Sequence, residues 1–170
     1  MKELNVKKVA LSGMFMAVAV VMSTFAIPIG ASKCFPIQHI INVLSAVFLG
    51  PVHGVAVAFG TSVIRNLLGT GTLLAFPGSM VGALACGLIF KKTGKYIPTY
   101  IAEIIGTGVI GGMLAFPLAA LVMGKEAALF TYVVPFLVST VGGTIIAALL
   151  ITILQQTHVL SKLQEMVVTH

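Results

Sequence analysis

Long apolar runs separated by brief polar or glycine–proline breaks fill the chain from Val9 onward. They carry no ten-residue segments of strict alternation, so the pattern predicts helices rather than barrel strands. The first run, residues 9–29, is uncharged, long enough to span a bilayer, and closed by Pro28 and Gly30. Ala31 to Pro36 reads as a loop carrying Lys33. The stretch Ile37 to Leu68 allows two readings. As one helix of about 32 residues it would measure about 48 Å, too long for a hydrocarbon core about 30 Å thick. Broken at Gly50–Pro51, with a tight turn from Gly50 to Gly54, it gives two short helices, 37–49 and 52–68. Three further helices follow at 73–90, 97–123 and 130–154. Pro77 is tolerable in the first turn of its helix. Arg65 to Gly71 leads outward into a glycine–threonine loop, and a short outer loop is predicted at Gly124 to Glu126. In the tail, Val159, Leu160, Leu163, Met166 and Val167 share one face, which predicts a short interfacial helix.

Basic residues decide between the two readings of 37–68. The cluster Lys91, Lys92, Lys95 and the basic N-terminus should both be cytoplasmic, which requires an even number of spans between them. The two-helix reading supplies four. Seven basic residues then fall inside (Lys2, Lys7, Lys8, Lys91, Lys92, Lys95, Lys162) and three outside or near it (Lys33, Arg65, Lys125). The predicted architecture is an all-α integral membrane protein, a single domain of six transmembrane helices over residues 1–170, with both termini cytoplasmic. The first run is too long for the apolar part of a signal peptide and reads as a first membrane helix.

Composition narrows the function classes. Of the 170 residues, 58% are hydrophobic and 8% charged, and the mean hydropathy is +1.12. A soluble domain carries about 25% charged residues, so a soluble enzyme and a disordered chain are both excluded. Six spans leave no room for an ATPase or receptor head. The net charge of +6 belongs to helix ends and not to a nucleic-acid surface. Cys34 and Cys86 have no metal-ligand spacing and read as free thiols. The chain has no Asp, its four Glu and four His are scattered, and no G-x-S-x-G occurs. Nothing supports catalysis, and no cofactor or metal is implied.

Polar residues at membrane depth are costly and therefore informative. Gln38, His39 and Asn42 open the second helix, with Gln38 and Asn42 four apart on one face. They form a hydrogen-bonding lip over a ligand, or they cap the helix and meet interfacial water. Arg65 and Asn66 precede a Gly-Thr loop that includes Thr70 and Thr72. Arg65 lies roughly 20 Å along its helix; it snorkels to headgroups, or it faces inward to a polar ligand or to loop carbonyls. Ser79 sits on the fourth helix, and Glu103 and Thr107 share a face of the fifth. Glu103, in the inner half about 10 Å below Arg65, is poorly placed to pair with it. Glu103 is a functional carboxylate, a protonated or neighbour-bonded structural one, or an inter-subunit contact. Small residues permit close helix approach: Gly13 and Ala17 on the first helix, and Gly108 and Gly112, a literal GxxxG, on the fifth, where packing inside the bundle is expected.

Four stretches carry a resemblance: Phe35 to Asn42 (FPIQHIIN), Phe48 to Gly54 (FLGPVHG), Arg65 to Ala83 (RNLLGTGTLLAFPGSMVGA) and Glu103 to Pro117 (EIIGTGVIGGMLAFP). With the six-helix layout, the chain resembles the ThiW family, a substrate-binding S component of energy-coupling factor (ECF) vitamin transporters. The resemblance implies a bacterial cytoplasmic (inner) membrane protein of many passes. It would bind the hydroxyethylthiazole precursor of thiamine in a pocket at the outer face. A transmembrane T subunit and two cytoplasmic ATPase subunits would supply the energy. It also implies that a small-residue pattern on the first helix, here Gly13 and Ala17, contacts the T subunit. Depth and polarity make Gln38, Asn42, Asn66, Thr70, Thr72 and Ser79 the best substrate-binding candidates, with His39, Arg65, Glu103 and Thr107 beside them. A thiazole needs an apolar slot and a few hydrogen bonds; Arg65 would suit a phosphorylated thiazole or a loop pin. The competing readings are another thiamine-related or vitamin ligand, a ligand-free structural membrane protein, and a self-sufficient secondary transporter.

Overall fold

The computed structural model describes residues 6–24, 27–29, 32–124 and 128–168. Lys2, Lys125 and Glu126, and with them most of the predicted 124–126 loop, lie outside the described residues, as do the side chains of Pro28, Lys33, Met166 and Val167. Seven helices are present among the described residues: α1 (Val6–Met22), α2 (Pro36–Phe48), α3 (Pro51–Leu67), α4 (Ala75–Thr93), α5 (Tyr96–Val122), α6 (Val133–Gln156) and α7 (Val159–Val168). A small antiparallel hairpin, β1 (Ile27–Ile29) and β2 (Ser32–Cys34), joins α1 to α2, with Ile27 opposite Cys34.

The break at Gly50–Pro51 forms as the pattern predicts. Gly50 takes φ +80°, a backbone state that costs glycine little, and Pro51 opens α3 with its φ already set for a helix. The first helix is shorter than its apolar run. Ser23 Oγ and Thr24 Oγ1 donate to the carbonyls of Val20 (2.6 Å) and Val21 (2.9 Å), and α1 ends at Met22. Ile27–Ile29 then pairs as a strand instead of continuing the predicted 9–29 helix, and part of the predicted 31–36 loop becomes β2. At the other end α4 runs on through Lys91 and Lys92 to a left-handed Gly94 (φ +63°), whose N–H bonds to the Phe90 carbonyl. Helix α5 is continuous, but π-type turns over Ile104–Gly111 and Leu118–Val122 alternate with α turns. Pro117, which has no N–H for the helical ladder, immediately precedes the second of them.

Helix α2 is the hub. Ten of its thirteen residues are buried, Gln38, His39 and Asn42 among them. A helix covered on all sides by protein need not match the bilayer in length or polarity, which explains how so short and polar a segment fits an apolar chain. Around it the neighbouring helices come close at glycines. Gly78 meets Gly111 and Gly82 meets Thr107 across the α4–α5 seam. Gly108 and Gly112 face Leu137 and Val133 of α6, so the GxxxG of α5 packs inside the bundle as expected.

The two ends of the bundle differ. One carries Lys7, Lys8, Lys91, Lys92, Lys95 and Lys162 and is filled by an apolar core that includes Phe15, Val47, Phe48, Ile151 and Leu160. Leu160 is buried, so the tail helix α7 seats one face on this core in place of lying free at an interface. The other end carries the hairpin and the 69–72 loop and holds most of the buried polar groups. Outside, α4, α5 and α6 expose Leu84, Leu88, Ile101, Ile105, Leu121, Val134, Ile145 and Leu149. Contiguous apolar surface of this kind suits lipid, not water. Helices α5 and α6 are each long and apolar enough to cross a membrane.

Candidate functional site

Below the hairpin end, Glu103 is completely buried, and four side chains surround its carboxyl group. Oε1 lies 3.0 Å from Nδ1 of His39, accepts from Asn42 Nδ2 at 3.0 Å, and accepts from Thr107 Oγ1 at 2.9 Å. Oε2 accepts from Cys86 Sγ at 3.2 Å. The spacing Glu103/Thr107 brings carboxylate and hydroxyl together on α5, and α2 supplies His39 and Asn42 from one face. All four neighbours are able to donate to it. Glu103 thus ties α2, α4 and α5 together.

His39 carries this network to the surface of a cavity. Nδ1 faces Glu103, and Nε2 lies 3.1 Å from the hydroxyl of Ser139. Ser139 in turn accepts the Phe35 N–H at 3.0 Å. One serine on α6 therefore fixes both the imidazole and the start of α2. Hydroxyl, imidazole and carboxylate stand in the order used by nucleophilic hydrolases. The Phe35 N–H beside the hydroxyl is donated to Ser139 itself, so this donor does not form an oxyanion site.

The cavity has a volume of about 580 Å³ and opens at the hairpin end. That size lies within the usual range of small-molecule sites, about 300–1,000 Å³. Phe35, Tyr132, Pro135 and Phe136 give it an aromatic and apolar side. Gln38, His39, Ser79, Thr107 and Ser139 give it hydrogen-bonding groups, and among the described residues no Asp, Glu or Lys lines it. The 69–72 loop and Arg65 close another side. Arg65 faces inward and is 1% exposed, which removes the snorkelling reading. Its Nη1 donates to Gln38 Oε1 at 3.5 Å and its Nη2 to the Thr70 carbonyl at 3.4 Å, while its guanidinium lies 4.1 Å from the Phe35 ring centre. These partners differ from those of Glu103, in keeping with the expectation that the two do not pair.

Seven of the ten predicted substrate-binding residues line the cavity: Gln38, His39, Arg65, Thr70, Thr72, Ser79 and Thr107. The other three stand behind it. Asn42 and Glu103 form the buried layer that supports His39, with Asn42 also bonding to the Ser79 carbonyl at 3.3 Å. Asn66 bonds to the carbonyls of Ser62 (2.8 Å) and Thr72 (3.3 Å) and so ties the loop to α3. The sequence reading missed the α6 wall (Tyr132, Phe136, Ser139), Phe35, and the residues Ser23 and Thr24 that end α1. Ser139 was findable by the rule that exposed Glu103, since it is a polar residue within an apolar run. The aromatics carry no such signal.

Gly13 and Ala17, the predicted partner-facing pair, are both exposed on α1, and a side chain at Gly13 would meet nothing within 4 Å. Cys34 and Cys86 are free and buried.

An apolar exterior around a cavity with both apolar and hydrogen-bonding walls suits a membrane protein. Residues 9–157 match the family model described as thiamine-precursor transporter protein (ThiW), and the chain belongs to that family. It is thus a component of a thiamine-precursor transporter. No curated protein matches the sequence.

Proposed function

We propose that this protein is the substrate-specificity component of an ECF-type importer. In this reading it lies in the bacterial cytoplasmic membrane, crosses it six times with both termini inside, and captures the hydroxyethylthiazole precursor of thiamine from the outer side. The observation that carries the reading is the cavity, whose lining combines aromatic Phe35, Tyr132 and Phe136 with the His39–Ser139 pair. A flat heteroaromatic ring stacks on such side chains, and a hydroxyethyl arm both donates and accepts hydrogen bonds. The lysine-rich end opposite the cavity mouth supports the orientation, because basic residues accumulate on the cytoplasmic side.

The chain carries no nucleotide-binding motif, so two ATPase subunits and a transmembrane T subunit would act on it from outside. The exposed small-residue face at Gly13 and Ala17 suits close approach by a T-subunit helix. The test is uptake of labelled hydroxyethylthiazole by cells that express this chain with or without the T subunit and ATPases. Accumulation should require all of them. Accumulation driven by the chain alone would contradict the S-component reading and favour a secondary transporter.

A further inference from the structure

Arg65 is a buried cation with no described anionic partner. At 1% exposure it has left water, and an isolated buried charge is strongly disfavoured unless it is paired. Its described contacts are all neutral: Gln38 Oε1 at 3.5 Å, the Thr70 carbonyl at 3.4 Å and the Phe35 ring. Both hydrogen bonds sit at the long limit for such bonds. Among the described residues neither Arg65 Nε nor Gln38 Nε2 has a partner. Both orphans are donors, so what this corner lacks is an acceptor. Among the described residues none provides one. Glu103 is occupied by His39, Asn42, Thr107 and Cys86. The end of α3 would favour a cation there, but the Arg65 carbonyl already takes the Thr70 and Gly71 N–H groups at 2.9 Å each. The 69–72 loop folds tightly over this corner: a Cβ at Gly71 would lie 3.0 Å from that of Arg65.

We propose that Arg65, Gln38 and the 69–72 loop form an oxyanion subsite, and that the ligand bound is the phosphate monoester of the thiazole's hydroxyethyl arm. A guanidinium meets a phosphate through paired, charge-assisted bonds that neutral contacts do not match. The aromatic side would hold the ring while the phosphate displaces the two long neutral bonds. This inference rests on the thiazole reading above and adds the charged form of the ligand.

The experiment is calorimetric titration of the purified full chain with hydroxyethylthiazole and with its phosphate monoester, for wild type, Arg65→Gln and Arg65→Lys, each checked by its melting temperature. Wild type should bind the monoester at least about tenfold more tightly than the alcohol. Arg65→Gln should abolish that preference by lowering monoester affinity at least about tenfold more than alcohol affinity, and Arg65→Lys should keep part of it. Equal or tighter binding of the alcohol by wild type would overturn the subsite and leave the thiazole reading standing. Proportional loss of both ligands in Arg65→Gln, with a lowered melting temperature, would make Arg65 a loop pin and also overturn it. Failure of the folded wild type to bind either form would overturn both readings.

Discussion

Nδ1 of His39 lies 3.0 Å from Oε1 of Glu103, joining residues 64 apart in the chain at the floor of the cavity. Glu103 does not line the cavity, yet it contacts one nitrogen of His39 while the other faces Ser139. Removing the carboxyl group would leave four buried donors without their acceptor. Glu103→Ala should therefore cost about 3 kcal/mol or more of stability, the scale for breaking a buried charged network. Glu103→Gln keeps an acceptor oxygen and should cost less. Thermal melting in detergent checks both; an unchanged melting temperature for Glu103→Ala would show that the network contributes nothing.

The α4–α5 seam depends on glycine. A Cβ at Gly111 would collide with the Cα of Gly78, which is backbone and has no rotamer to change. Gly111→Ala should destabilise the fold by about 1–3 kcal/mol through overpacking. Gly13→Ala, where a Cβ meets nothing within 4 Å, should stay within about 0.5 kcal/mol. Melting curves of the two variants side by side make the comparison. Similar losses in both would contradict the packing described.

The exposed face of α1 separates binding from coupling. Gly13→Leu or Ala17→Leu should leave thiazole affinity within about twofold of wild type, because neither residue lines the cavity. Either change should reduce co-purification with the T subunit and lower uptake, because the bulk blocks close helix approach. Ligand titration and pull-down from the same membranes give both readouts. Lost affinity with normal T-subunit association would place the role of this face inside the bundle.

The parts of this fold that follow from local chemistry were legible in the sequence. Gly50–Pro51 announced a break because one residue tolerates positive φ and the other starts helices. Glu103 and Arg65 stood out because charge at membrane depth is expensive. The end of α1 was hidden: Ser23 and Thr24 stop the helix through their own hydroxyls, and apolar Ile27–Ile29 reads equally well as helix or strand. The aromatic wall was hidden for a different reason. In a chain whose exterior is also apolar, Phe35, Tyr132 and Phe136 look the same facing a ligand as facing lipid. Which residues support and which line the cavity was equally out of reach, since Asn42 and His39 differ by three positions and only the packing of α2 against α5 and α6 separates their roles.

The central claim is that this chain, alone, holds a thiazole. The most direct measurement is calorimetric titration of the purified protein with hydroxyethylthiazole, its phosphate, thiamine and the pyrimidine precursor. The account predicts saturable binding of a thiazole form and rejection of thiamine and of the pyrimidine. A protein shown by its melting curve to be folded, yet binding neither thiazole or preferring thiamine, would contradict it.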